Sequence, residues 1–312
     1  YFFGQDNRGV IVYDPNSLRN IEMADGYKRG QTGRIRYDKN NNLWISQWDG
    51  NGGLQRIENE QIVEEINFKD GLPDRRVTDF DFTSDGTMWI GTANGLAELN
   101  MINKKIKTYQ KNEGLQNNDI RSLVVDENDI IWLYTQTGLI RFDGESFTMY
   151  TQEDGLVRPR NNGRVKVDKK GNIIYTTYGS GFSIFDGKDF KNYDMSNGMV
   201  DGRIWDIGVD SKNNYWLALD GSGVQMFDGE KFIHYDVEDG VGAGETWSVF
   251  VDDFDIVWIG TFHGGVCMFD GDNWNCIDKR DGLVDNTISS IFGTNGNKVW
   301  LGGLSGVTTY IP

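Results

Sequence analysis

Arginine, carboxylate and aromatic residues return at the same few places along this chain of 312 residues. Arg34, Arg76, Arg121, Arg164 and Arg203 stand at or near the starts of successive strand-like runs, with Asp79, Asp119, Asp206 and Glu245 among them. Trp205 and Trp247 hold matching positions one residue into two of those runs. Gly-rich loops add Gln47, Trp48 and Asp49, then Tyr178, then Phe262 and His263. An Arg fork matches a carboxylate, and a flat aromatic ring matches the face of a sugar. Small-ligand pockets combine apolar walls with a few placed polar groups. The pattern therefore predicts a site for a saccharide or other small anionic ligand. Its candidate residues are Trp48, Arg76, Arg121, Arg164, Tyr178, Arg203, Trp205, Trp247 and His263. The competing reading pairs the arginines with nearby carboxylates to line a wet channel, and packs Trp205 and Trp247 between structural units.

Metal and catalytic chemistry find less support. His234 and His263 are the two histidines, and no His-x-x-x-His, Cys-x-x-Cys or Glu-x-x-His spacing offers a zinc or iron ligand set. Asp38-Lys39-Asn40-Asn41-Asn42 has some of the look of a calcium loop but lacks the closing Glu, so turn chemistry explains it better. No cofactor is expected, although carboxylates and carbonyls converging at the strand starts leave room for a calcium ion. No Gly-x-Ser-x-Gly elbow marks a nucleophile. Asp79 and Asp206 could act as acid and base only at a suitable separation, which spacing does not give. No catalytic residue is assigned.

The elements that must position these residues are short strands in a repeating cassette. It reads Thr83-Ser84-Asp85-Gly86-Thr87-Met88-Trp89-Ile90-Gly91-Thr92-Ala93-Asn94-Gly95-Leu96, and it returns along the chain. Aligned copies place Phe2, Trp44, Trp89, Trp132, Ile174, Trp216, Trp258 and Trp300 at one position, 42 to 45 residues apart. Such a period, with four strand-like runs in each unit, predicts an all-β fold, a β-propeller of four-stranded antiparallel blades. One unit shows strand A over Ile120 to Val125, B over Ile130 to Tyr134, C over Leu139 to Phe142 and D over Phe147 to Tyr150. Phe-Asp-Gly at 142–144, 185–187, 227–229 and 269–271 marks hairpins, because Gly accepts positive φ at low cost. Asp70-Gly71-Leu72 and its later copies close each unit, and the Leu-like residue is expected to plug the gap between neighbours. The six cassette tryptophans are expected in the core, since a single site would not need a role repeated so often. Alternating strand directions put the D–A and B–C loops, with all the unusual residues, on one face.

The whole chain, 1–312, reads as one propeller whose first and last blades are incomplete. The copies of the B position favour eight blades over seven.

The formal charge of −16 argues against nucleic acid or an anionic membrane as partner, because like charges repel. No run of about 18 apolar residues predicts a membrane-spanning helix. The first residue is Tyr1, so the sequence reads as a mature or excised piece. If Gly271-Asp272 is a two-residue hairpin loop, Cys267 and Cys276 stand directly opposite each other, close enough for a disulfide. The alternative is two small buried hydrophobes.

The phrase Asp-x-x-x-x-Ile/Met-Trp-Ile-Gly-Thr-x-x-Gly-Leu, then Phe-Asp-Gly, an aromatic-rich strand and Asp-Gly-Leu, resembles the two-component regulator propeller repeat. Met88–Leu96, Ile131–Phe142 and Val257–Val266 carry it best. The resemblance implies a periplasmic or extracellular domain of the sensor type, part of a longer membrane-anchored system, many of which respond to polysaccharide fragments. No kinase or response regulator follows here, and free-standing secreted proteins also carry the repeat. Similarity to the virginiamycin B lyase family is weaker, without a matching catalytic His and Glu pattern. The first expectation is thus a ligand-recognition propeller that is not an enzyme. A lyase or glycosidase at the same face, and a scaffold for a protein partner, are the alternatives.

Overall fold

The structure, a computed structural model, describes residues 2–4, 10–14, 17–21, 32–47, 53–58, 61–281, 283, 286–294, 298–303 and 307–310. The chain divides into two compact units, one of Tyr1–Thr32 with Tyr193–Pro312 and the other of Gly33–Asn192. Thirty strands occur among the described residues. A three-stranded sheet comes first, β1–β3 (Phe2–Gly4, Val10–Asp14, Ser17–Ile21). Next come β4–β7 (Thr32–Tyr37, Leu43–Gln47, Gly53–Glu58, Gln61–Ile66) and β8–β11 (Val77–Phe82, Met88–Thr92, Gly95–Leu99, Ile106–Tyr109). They are followed by β12–β15 (Ile120–Val125, Ile131–Thr135, Gly138–Phe142, Phe147–Tyr150) and β16–β19 (Val165–Val167, Ile173–Thr176, Phe182–Phe185, Phe190–Tyr193). Then come β20–β23 (Ile204–Val209, Tyr215–Leu219, Val224–Phe227, Phe232–Tyr235) and β24–β27 (Thr246–Val251, Val257–Thr261, Val266–Phe269, Trp274–Ile277). A second three-stranded sheet, β28–β30 (Ile288–Thr294, Lys298–Gly303, Val307–Tyr310), comes last.

The fold is a β-propeller of four-stranded antiparallel blades. Six sheets are complete, which corrects the expected eight, and the alternative of seven. The expectation counted copies of one strand position. A complete blade needs all four segments in succession, and β1–β3 and β28–β30 each supply three.

Local chemistry explains why each strand starts and stops where it does. The Asp that opens the A–B turn accepts the backbone N–H groups two and four residues on, and then the indole N–H six residues on. In the β12–β13 turn, Asp126 accepts from Asn128 N, Ile130 N and Trp132 Nε1 at 2.9, 3.0 and 2.8 Å. Asp38, Asp210 and Asp252 hold Trp44, Trp216 and Trp258 in the same way, at 3.2, 3.1 and 2.9 Å. Each of these turns passes through a left-handed residue, Asn41, Asp129, Asn213 and Asp255, with φ of 60°, 61°, 68° and 60°. Asn and Asp tolerate that conformation better than other side chains.

The D–A loops also follow one plan. Single 3-10 turns at Phe68–Asp70, Lys111–Glu113, Gln152–Asp154 and Met195–Asn197 each end on a glycine. Those glycines have φ of 115°, 95°, 99° and 112°, the left-handed stop that Gly supplies. The residue after the glycine turns inward, and Leu72, Leu115, Leu156, Met199, Val241 and Leu283 are all buried. Leu72 packs with Trp44 and Ile66 of one sheet and Val77 and Phe80 of the next, so it fills the space between neighbours as expected. The six cassette tryptophans are buried too.

The Cys267↔Cys276 register is as expected, and the two form a disulfide between β26 and β27 with Cα atoms 4.0 Å apart. No helix is long and apolar enough to cross a membrane.

Candidate functional site

The first strand of several sheets carries a β-bulge at its second residue. Pairing of β20 with β21 steps from Ile204↔Leu219 to Asp206↔Ala218, leaving Trp205 as the extra residue. Trp247 is the extra residue between Thr246↔Thr261 and Ser248↔Gly260. Arg121 stands in the same place between Ile120↔Thr135 and Ser122↔Tyr134. A bulge releases one side chain from the strict alternation of a strand and re-aims it.

In the unit that contains residues 193–312, three candidate residues, Trp205, Trp247 and His263, come together with Phe262 of the same loop as His263. The Trp205 and Trp247 ring centroids lie 6.0 Å apart at 45°. Trp247 stacks on Phe262 at 4.8 Å and 22°, and Phe262 meets His263 at 3.8 Å. Trp205, Trp247 and Phe262 are half-buried, and His263 is exposed. The backbone at His263 is left-handed, with φ 69°. Its Nδ1 lies 3.2 Å from Thr287 Oγ1, which also accepts from the His263 backbone N–H at 3.3 Å.

The polar frame of this run is acidic. Trp205 Nε1 donates to Asp220 Oδ1 at 3.2 Å, and Trp247 Nε1 to Glu245 Oε1 at 2.8 Å. Arg203 spans two carboxylates. Its Nη2 lies 2.7 Å from Asp201 Oδ2 and its Nη1 2.6 Å from Asp220 Oδ2. Arg203 also donates to the Asp220 carbonyl at 2.8 Å. Its fork is therefore already filled by the protein.

Arg76, Arg121, Arg164 and Tyr178 belong to the other unit. Arg76 is exposed and pairs with Asp74 at 3.6 Å. Arg121 pairs with Asp119 at 2.8 Å, and Gln136 donates to the same carboxylate at 2.7 Å. Arg164 and Arg121 both act on the buried phenol of Tyr134, whose pKa burial pushes up to about 12 against their opposing pull. The Tyr178 backbone N–H donates to Asn162 at 2.8 Å. Trp48 lies outside the described residues.

Asp79 of that unit is 1% exposed. It accepts from Arg36 at 3.0 Å and from Ser122 Oγ at 2.9 Å, with Arg34 at 3.7 Å. Burial raises its pKa, but Arg36, Arg34 and Arg164 outweigh it and hold the carboxyl below the ordinary carboxylate range. The arginine-with-carboxylate pairing weighed from sequence is thus realised at Arg76, Arg121 and Arg203. Among the described residues no three His, Cys, Asp or Glu side chains group to hold a metal ion.

Asp201 and Asp220 were not foreseen. The repeat held a signal for one of them, because Tyr178, Asp220 and Phe262 stand 42 residues apart in the same B–C loop position. An Asp in a Gly-rich loop reads as turn chemistry until the neighbouring Trp is seen to bond it.

Residues 71–94 match the two component regulator propeller family. No curated protein is similar to the chain in sequence. The chain is similar over its whole length to the extracellular domain assigned to the hybrid two component system BT3049 of B. thetaiotaomicron, with 19% identity and a TM-score of 0.70. PorZ, a surface component of the type-IX secretion system of Porphyromonas gingivalis, gives 12% identity and a TM-score of 0.73 over 97% of the chain. This chain spans 50% of the length of each. Virginiamycin B lyase from Staphylococcus aureus gives 14% identity and a TM-score of 0.69, over 87% of this chain and 91% of that one. At such identities the likeness is one of fold.

Proposed function

For a chain that carries the two component regulator propeller repeat, we propose an extracytoplasmic, sensor-like role in which a saccharide binds on the D–A and B–C loop face. The observation that carries the reading is the run Trp205–Trp247–Phe262–His263, with the two indoles and Phe262 half-buried and the indole N–H groups bonded to Asp220 and Glu245. Aromatic faces with fixed polar edges suit the alternating apolar faces and hydroxyl rims of a sugar. Of the two ligand classes read from sequence, the anionic one has less behind it, because Arg203 is already bridged to Asp201 and Asp220. The Cys267–Cys276 bridge suits an oxidising compartment. Similar folds in extracellular domains of two component systems support the sensor role and a place within a longer membrane-anchored protein.

The test is a thermal-shift screen against neutral and charged oligosaccharides, since a ligand of the folded state raises the melting temperature by mass action. The expected result is a shift with one saccharide class that Trp247→Ala abolishes. Absence of any saccharide shift would overturn the reading and favour a protein partner.

A further inference from the structure

The frame of the aromatic run points to the charge of its ligand. Among the described residues, the charged groups bonded to the run or to its arginine are the carboxylates of Asp201, Asp220 and Glu245, against the guanidinium of Arg203. Two of the carboxylates take the indole N–H of Trp205 and Trp247. An indole that donates to an anion gains electron density over its ring face, and an electron-rich face attracts a cation. Negative charge and ring faces thus favour the same ligand group from two directions, and both disfavour an anion.

We propose that this site selects an amine-bearing saccharide, with the protonated amine held against the Trp205–Trp247 pair beside the carboxylates of Asp220 and Glu245. The inference rests on the saccharide reading above and names the class of sugar. The ring faces contribute contact area common to all sugars, and the carboxylates contribute the choice among them. Uronate or sulfated sugars meet like charge at the rim.

The experiment is isothermal titration calorimetry of the intact protein with three probes of equal length: a glucosamine oligosaccharide, its N-acetylated counterpart and a uronic acid oligosaccharide. The glucosamine form is expected to bind about tenfold more tightly than the N-acetylated form, and the uronic form more weakly than both. Raising the salt concentration is expected to weaken only the glucosamine form. Glu245→Gln keeps a hydrogen-bond acceptor for Trp247 and removes the charge, so it is expected to erase the preference while N-acetylated binding persists. Asp220→Asn repeats the test at the second carboxylate, with the melting temperature checking the fold of both variants. Equal or tighter binding of the N-acetylated or uronic form would overturn the inference and leave the saccharide reading standing. No binding by any of the three, with no effect of Trp247→Ala, would remove both.

Discussion

Trp205 and Trp247 are each the extra residue of a β-bulge, and their ring centroids lie 6.0 Å apart although 42 residues separate them in the chain. Strict alternation would fix each ring by the pleat of its own strand. The bulge frees that direction, so two neighbouring first strands can aim rings at one place.

Removing one ring is therefore expected to weaken the ligand without unfolding the sheet. Trp205→Ala should lower saccharide affinity about tenfold, the scale of one aromatic contact with its buried area. Ser289 occupies the same bulge position between Ile288↔Gly303 and Ser290↔Gly302 but carries no ring, and Ser289→Ala should leave affinity unchanged. Calorimetric titration of both variants checks this, and equal losses in the two would count against the site.

The turn aspartates make a second prediction. Asp252 accepts from Phe254 N, Ile256 N and Trp258 Nε1, each at 2.9 Å. Asp252→Ala strands those donors and should cost about 2–3 kcal/mol. The β8–β9 turn has Thr83 in place of the Asp, and the buried Trp89 Nε1 has no partner among the described residues. Thr83→Asn offers the missing acceptor without adding charge beside Asp85, and should gain about 1 kcal/mol. Urea unfolding of the two variants tests both signs.

Asp79 predicts a pH dependence. Its carboxyl is held below the ordinary range in the folded protein, so its stabilising effect is complete above the unfolded value of about 4. That effect is lost as pH falls through the lower folded value. Asp79→Asn leaves Arg36 and Arg34 without their buried counter-charge and should cost about 3 kcal/mol at neutral pH. Its stability should then fall less steeply than the parent's on going below about pH 4. Parallel acid curves for the two proteins would show that Asp79 does not titrate in this window.

The disulfide gives a fourth. Cys267 and Cys276 close a loop of sequence separation 9 across one hairpin. Removing both with Cys267→Ser and Cys276→Ser should cost about 2 kcal/mol, the effect of a short closed loop on the unfolded chain. Thermal unfolding measures the cost, and thiol alkylation before and after reduction should find no free thiol and then two.

Much of this protein was legible in its sequence because the signals are local. Phe142, Asp143 and Gly144 lead into Phe147, and the register Phe142↔Phe147 follows from the turn that those residues make. Asp143 accepts from Glu145 N and Ser146 N, and hydrogen bonds led by the one from Ser146 hold its carboxyl below the ordinary range. The same logic placed Cys267 opposite Cys276 and turned Leu72 and Leu115 inward. Each of these depends on residues within one turn or hairpin.

What only tertiary structure decided depends on a partner strand or a second sheet. A bulge is a mismatch between two strands, so the residues of β20 alone do not reveal that Trp205 is its extra residue. The state of Arg203 depends on Asp201 and Asp220, one before β20 and one in the loop after β21, and sequence reads such an arginine equally well as bound or open. The number of complete blades was decided in the same way. A strand motif repeats with local chemistry, but a blade exists only where four strands pair, and here six sheets do so.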